Sequence, residues 1–120
     1  MIKSYKELIV WQKAMDLVAE IYRLTRLLPK EELYALSDQM KRAAVSIPSN
    51  IAEGHTRNST KEFIQFLSIA RGSNAELQTQ LSICTMLQYL NNEQVSKAIA
   101  LSEEVGKMIS SVQQKLTPNS

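Results

Sequence analysis

Apolar side chains return every three or four residues along almost the whole of this sequence, and that spacing limits the fold more than any other feature. A helix brings a side chain back to the same face after 3.6 residues, whereas a half-buried strand needs strict alternation. Met40, Ala43, Ala44, Ile47 and Ile51 keep the helical period, as do Phe63, Phe66, Leu67, Ala70, Leu77, Leu81, Cys84 and Leu87. Val95, Ile99, Ser102, Val105, Ile109, Val112 and Leu116 form another such row. No alternating stretch competes. Only three glycines and three prolines occur, so turns are few and elements long. The spacing predicts helices over about 5–28, 37–53, 59–89 and 92–116, with a frayed tail at 117–120. Short connections make neighbours antiparallel, which gives an all-α, up-down-up-down four-helix bundle and a single domain over 1–120.

Local signals set the boundaries. Ser4 with Glu7, and Ser59 with Glu62, have capping-box spacing and open the first and third helices. Pro29 closes the first, and Ser37 is the expected N-cap of the second. Gly54 suits the left-handed position after a helix, and Asn91-Asn92 makes a turn and cap. Gly72 lies inside the third helix, where glycine costs about 1 kcal/mol against alanine. Close approach by another helix is the expected reason for keeping it.

The first helix has too much apolar surface for one core face. Leu8, Trp11, Met15, Val18 and Tyr22 make one row, and Val10, Ala14, Leu17, Ile21, Leu24 and Leu28 make a second. Gln12, Lys13, Asp16, Glu20 and Arg23 are left for solvent. Together the two rows cover roughly half the circumference, beyond the ~100° stripe that one core needs. Either the helix is unusually buried in its own bundle, or its second flank meets another subunit. A four-helix bundle leaves most of each helix exposed, which favours the second reading.

The stretch Arg42 to Arg57 places Pro48 inside good helix sequence, which predicts a kink in the second helix. Ser46, Ser49, Asn50 and Glu53 are available to satisfy backbone groups freed there. Asn50 and Glu53 are therefore expected in a structural network, which Arg42 and Glu76 can extend to the third helix. Arg71 is expected in solvent.

Chemistry is sparse. His55 is the sole histidine and Cys84 the sole cysteine, so a multi-ligand metal site, a Glu-x-x-His pair on two helices and a disulfide all lack residues. Cys84 falls on the core row, as a small buried hydrophobe does. All three glycines are isolated, which excludes a glycine-rich phosphate loop. These patterns indicate no enzyme, no metal and no cofactor. The absence of a secretory-type opening or a ~20-residue apolar run implies no membrane span and a cytoplasmic protein. Lysine and arginine total 14 against 12 acidic residues, a mild excess. Lys13, Arg23, Arg26, Lys41, Arg42, Arg57 and Lys61 are the candidate nucleic-acid contacts, effective only where several copies add their fields.

Three segments, "LIVWQKAMDLVAEIYRLT" (8–25), "LSDQMKRAAVSIPSNIAEGHTR" (36–57) and "KEFIQFLSIARGSNAELQTQL" (61–81), resemble the bacterial four-helix-bundle proteins encoded within 23S rRNA intervening sequences. The family is often labelled ribosomal-protein-like, a label that reflects genetic location. Ala35 stands where the family usually has glycine. Lys41-Arg42 stands where it usually has two arginines, which keeps the charge and loses one guanidinium fork. The resemblance implies an antiparallel bundle that assembles into a homopentamer, which would cover the second flank of the first helix. The family is also similar to the accessory variability protein of diversity-generating retroelements, a pentamer associated with nucleic acid and a reverse transcriptase. The expected function is a non-catalytic oligomer that binds structured RNA or DNA. The alternative is a protein-interaction scaffold, such as an accessory protein to a reverse transcriptase or other polymerase.

Overall fold

The structure, a computed structural model, describes residues 4–118. Four long helices account for most of them: α1 (Ile9–Thr25), α2 (Leu36–His55), α3 (Thr60–Met86) and α4 (Asn92–Leu116). Short 3-10 turns occupy Tyr5–Glu7 and Lys30–Glu32, and no strand occurs among the described residues. Each helix packs on its two sequence neighbours, with α4 closing back on α1. Residue pairs across every seam run in opposite directions. From α2 to α3 the partners are Met40 with Cys84, Ser46 with Ser73, and Gly54 with Phe66. From α3 to α4 Ser68 meets Gln113 and Gln78 meets Ser102. Helix α1 meets α4 at Lys13 with Glu104 and at Glu20 with Lys97, and against α2 its Tyr22 end lies by Lys41 while Trp11 lies by Pro48 and Ala52. Neighbouring helices are therefore antiparallel.

The core is the set of side chains that the period brings inward. Leu17, Ile21 and Leu24 of α1 meet Met40, Ile47 and Ile51 of α2, Leu67, Leu77 and Leu81 of α3, and Val95, Val105 and Ile109 of α4. Each contributes roughly 1.5–3 kcal/mol of hydrophobic burial. On α1 the inward row is the one through Val10, Ala14, Leu17 and Ile21. The row through Trp11, Met15, Val18 and Tyr22 lies at the side or in solvent. Ile99 and Leu87, expected in the core, are exposed.

Several boundaries differ from the sequence reading. The predicted 5–28 helix is two pieces, because Leu8 is extended (φ −72°, ψ 125°) between the first 3-10 turn and α1. The Ser4–Glu7 capping box is formed, but it closes that short turn, and α1 starts without a side-chain cap. At the other end Thr25 bonds its hydroxyl to the Tyr22 carbonyl, and Leu27 and Leu28 bond back three residues, so α1 tightens and stops before Pro29. Ser37 is buried in the first turn of α2 and is not its cap; the Glu32 carboxylate accepts from the Leu36 N–H in that role (3.3 Å). Gly54 is helical, with no positive φ, and α2 continues to His55. The helix also runs on through Pro48. The end of α3 comes at Met86, where Gln88 turns left-handed (φ 64°). Ser59 and Asn91 do cap α3 and α4. Of the expected tail, Thr117 bonds back to the Gln113 carbonyl, and residues 119–120 lie outside the described residues, as do residues 1–3.

Candidate interaction surface

The outer face of α1 and α2 carries two adjoining grooves. The first, about 320 Å³, is lined by Tyr5, Trp11, Met15, Val18, Val45, Pro48, Ser49 and Ala52. It exists because the second apolar row of α1 has no helix of its own chain to cover it. Met15 is 43% exposed and Val45 40%, while the Trp11 ring is held edge-on by Tyr5 at a centroid distance of 5.4 Å. Pro48, buried in α2, contributes to the groove wall. The second groove, about 500 Å³, continues past Val45 to Tyr22, Asp38, Lys41, Arg42 and Ser46. Here the Lys41 ammonium sits over the Tyr22 ring, 5.4 Å from its centroid. An apolar floor thus gives way to a basic and aromatic rim.

The seven candidate nucleic-acid residues do not converge on one patch. Lys13 pairs with Glu104 at 3.2 Å, and Arg42 with Asp38 at 3.0 Å. Arg57 lies over the Phe66 ring with Glu53 at 3.8 Å. Arg23 grips Glu20 with two hydrogen bonds of 2.9 and 2.6 Å. Among the described residues, no carboxylate lies within ion-pair distance of Arg26, Lys41 or Lys61. Glu20, expected in solvent, is buried, because Arg23 one turn on neutralises it from the surface side. The bonds from Arg23 hold its carboxyl below the usual range against the opposing effect of burial, and Lys97 of α4 adds a smaller downward push.

The polar residues near Pro48 form part of the expected network. The Asn50 amide donates to the Ser46 carbonyl (2.8 Å) and hydroxyl (2.9 Å), and the Ser46 and Ser73 hydroxyls share a hydrogen bond of 2.8 Å across to α3. The carbonyl freed by Pro48 is that of Ala44, four residues back. Asn50 bonds to Ser46, two residues on from Ala44 and on the same helix, so it leaves the proline gap alone, and the tie to α3 is the Ser46–Ser73 bond. Glu53 is exposed and stands outside the network, as does Arg42. Glu76 accepts from the Gln80 amide (3.4 Å) on its own helix, and Arg71 donates across to Gln113 of α4 (3.1 Å).

Two glycine readings are corrected. A Cβ on Gly72 would meet nothing within 4 Å, so no helix of this chain approaches it. A Cβ on Gly54 would lie 2.7 Å from Cβ of Phe66 and 2.9 Å from Cδ1 of Phe63, so Gly54 is where α3 comes close. His55 stacks edge-on with Phe63 at 5.6 Å. Cys84 is buried with its thiol toward the Met40 sulfur (3.6 Å), and burial, with the Glu32 carboxylate nearby, pushes it up to about 11.

Sequence reasoning missed a polar clasp between α3 and α4. Asn74 donates to the Ser102 carbonyl (2.9 Å) and accepts from its hydroxyl (2.7 Å), and Gln78 donates to the same hydroxyl (2.8 Å). The signal was Asn74 itself, placed between Ala70 and Leu77 on an otherwise apolar row. No helix among the described residues is long and apolar enough to cross a membrane.

Comparison with known proteins agrees with this architecture. A crystal structure of a Bacteroides thetaiotaomicron protein of unknown function, from the S23 ribosomal protein family, superposes with a TM-score of 0.81 at 26% identity. The match covers 88% of this chain and 98% of that one. No curated protein matches the sequence. Residues 6–111 match the family model described as 23S rRNA-intervening sequence protein. That span takes in the groove apart from Tyr5, the Pro48 segment and the α3–α4 clasp, so the chain belongs to the 23S rRNA-intervening sequence protein family.

Proposed function

We propose that the chain is a non-catalytic building block that self-assembles through the outer face of α1 and α2. The observation that carries this reading is the uncovered apolar groove of Trp11, Met15, Val18 and Val45. A monomer gains nothing by exposing such a row, whereas an apolar face rimmed by polar residues fits a protein interface. The mating surface on the next copy is the outer face of α3, where Ser68, Gly72, Ala75 and Thr79 are small and exposed. The open backbone at Gly72 allows close seating of a neighbouring helix. Two different surfaces in contact make a heterologous interface, which closes into a ring when the rotation permits, as in a homopentamer.

Light scattering across a dilution series tests this. The wild-type chain is expected to assemble at micromolar concentration, and Met15→Glu to be monomeric with unchanged helix content. A wild-type chain that stays monomeric throughout overturns the reading.

A second reading concerns what the assembly holds. The family takes its description from 23S rRNA, and among the described residues Arg26, Lys41 and Lys61 have no carboxylate within ion-pair distance. In an oligomer these charges repeat around one body, and their fields add. Structured RNA is the expected ligand, bound with affinity that falls steeply with salt as counterions are released. Anisotropy titrations at two salt concentrations check it. Affinity indifferent to salt, or absent at low salt, removes RNA binding and leaves a protein-interaction scaffold, which would recover a specific protein partner after nuclease treatment.

A further inference from the structure

Two charged side chains on different faces of the bundle lack a charged partner, and they stand at nearly the same height. Lys41 lies in the second groove with its ammonium over the Tyr22 ring, and Asp38, the acid of that groove, is taken by Arg42 at 3.0 Å. Glu76 is exposed on α3, where the Gln80 amide one turn on donates to it at 3.4 Å. Among the described residues, no carboxylate lies within ion-pair distance of Lys41, and no cation within that distance of Glu76. Ile69, 51% exposed, accompanies Glu76. It lies three residues before Gly72, and Glu76 four after, so the three share one side of the helix. That side presents an apolar residue, open backbone and a carboxylate in turn. The groove presents an apolar floor of Trp11, Met15 and Val18, then Val45, then the Lys41 ammonium.

We propose that a second copy docks its α3 in the α1/α2 groove in one register, with Ile69 on the apolar floor beside Met15 and Pro48 and Glu76 paired with Lys41. The proposal rests on the self-assembly reading above and names the residues that set its orientation. The register follows from heights within one chain. The Ser46–Ser73 hydrogen bond puts those two residues level. Because α2 and α3 are antiparallel, Lys41, five residues before Ser46, and Glu76, three after Ser73, lie the same way from that level, about 7.5 and about 4.5 Å along the axis. Ile69 lies about 6 Å the other way, level with the part of the groove that Pro48 and Ser49 line. A closed ring whose axis runs along the bundle keeps every copy at one height. Rotation alone then brings Glu76 to within about 3 Å of the Lys41 level and Ile69 to the apolar floor. The reverse docking, with α3 antiparallel to α1, sets Ile69 against the ammonium and buries Glu76 unpaired on apolar surface, which disfavours it. Lys41 then belongs to the interface, and Arg26 and Lys61 are the cations left for RNA.

Charge reversal tests the pairing. Lys41→Glu and Glu76→Lys are each expected to weaken association in sedimentation equilibrium by about 10-fold or more, and the double variant to recover to within about 3-fold of wild type. Circular dichroism of the dilute monomers checks that each variant keeps its helices. The register is read separately with a short bismaleimide cross-linker on Met15→Cys/Ile69→Cys, Cys84 being buried. Covalent species larger than a dimer are expected from that variant and from neither single-cysteine variant. Their absence overturns the register. Charge variants that associate like wild type, or a double variant as weak as the single ones, overturn the pairing and leave self-assembly standing. A wild-type chain monomeric at every concentration removes the self-assembly reading itself, and the register with it.

Discussion

Asn74 and Ser102 hold each other at two points in the centre of the bundle, the amide on the Ser102 carbonyl at 2.9 Å and the Ser102 hydroxyl on the amide oxygen at 2.7 Å. Both residues are buried, so the bonds fix the sliding register of α3 against α4, which apolar contacts alone leave soft. Gly106, one turn past Ser102, gives the amide its room: a Cβ there would come to 3.2 Å from the Asn74 nitrogen. Asn74→Ala should cost about 2–3 kcal/mol in urea unfolding, from lost bonds and a cavity together. Gly106→Ala should be near neutral or unfavourable in the wild type. In the Asn74→Ala background it should stabilise by up to about 1 kcal/mol, because the crowding is gone and the helix propensity remains. Additivity of the two substitutions would show that Gly106 does not accommodate Asn74.

The two helical glycines at 54 and 72 should respond to alanine with opposite signs. Gly72→Ala enters open space and should stabilise the monomer by about 1 kcal/mol, the difference in helix propensity. Its cost should appear in assembly, where a methyl group at the closest point of a neighbour weakens association. Gly54→Ala gains the same propensity but drives a methyl group to 2.7 Å from Cβ of Phe66, an atom fixed to the backbone of α3. Overpacking of that kind costs about 1–3 kcal/mol, so the net effect should be a loss. Thermal melts of both variants at low concentration settle the signs.

Gln88 occupies a glycine position. The Tyr89 N–H bonds to the Cys84 carbonyl and the Gln88 N–H to that of Thr85, the paired bonds of a Schellman ending, with Gln88 at φ 64°. A side chain in that region costs about 1–2 kcal/mol, part of which glycine gives back through its freer unfolded state. Gln88→Gly should therefore stabilise by about 0.5–1 kcal/mol, read as a rise in the urea midpoint at constant m-value. A loss would mean that the Gln88 side chain makes a contact worth more than the strain.

The helix rows were legible because a core face repeats with a fixed period, and Met40, Ala43, Ala44, Ile47 and Ile51 are all buried as the period requires. What the period cannot show is why a residue breaks it. Glycine serves both left-handed backbone and close packing, and only the distance from Gly54 to Phe66 separates the two. Charge on a helix wheel implies solvent, yet Glu20 is buried under a guanidinium supplied one turn away. The capping box at Ser4–Glu7 forms but does not open α1 as expected, because the start of a 3-10 turn has the same local chemistry as the start of an α-helix. The surface fared differently again. The excess apolar row on α1 announced an uncovered face, while the basic residues told little: four of the seven candidates are matched to carboxylates, three of them one turn away along the chain, and only Lys13–Glu104 is a pair that the fold brings together.

The Glu20–Arg23 pair makes a prediction about acid. Glu20 is held below its ordinary value of 4.5 in the folded chain by the two Arg23 hydrogen bonds, so between the two values the unfolded chain binds more protons. Its contribution is therefore complete above the ordinary carboxylate range and fades as pH falls through it towards the folded value. Melting temperatures followed by circular dichroism from pH 7 to pH 3 should decline for the wild type, with part of that slope due to this one group. Glu20→Gln should flatten that part while keeping a neutral hydrogen-bond partner for Arg23. Arg23→Ala should act the other way. It leaves a buried carboxylate whose desolvation is opposed only by Lys97, so the folded chain binds the proton more readily than the unfolded one. The variant, destabilised at neutral pH, should recover part of that loss as pH falls through the carboxylate range. Identical slopes for wild type and Glu20→Gln would mean that the pair contributes nothing to acid stability, and that Arg23 lies over Glu20 only to cover it.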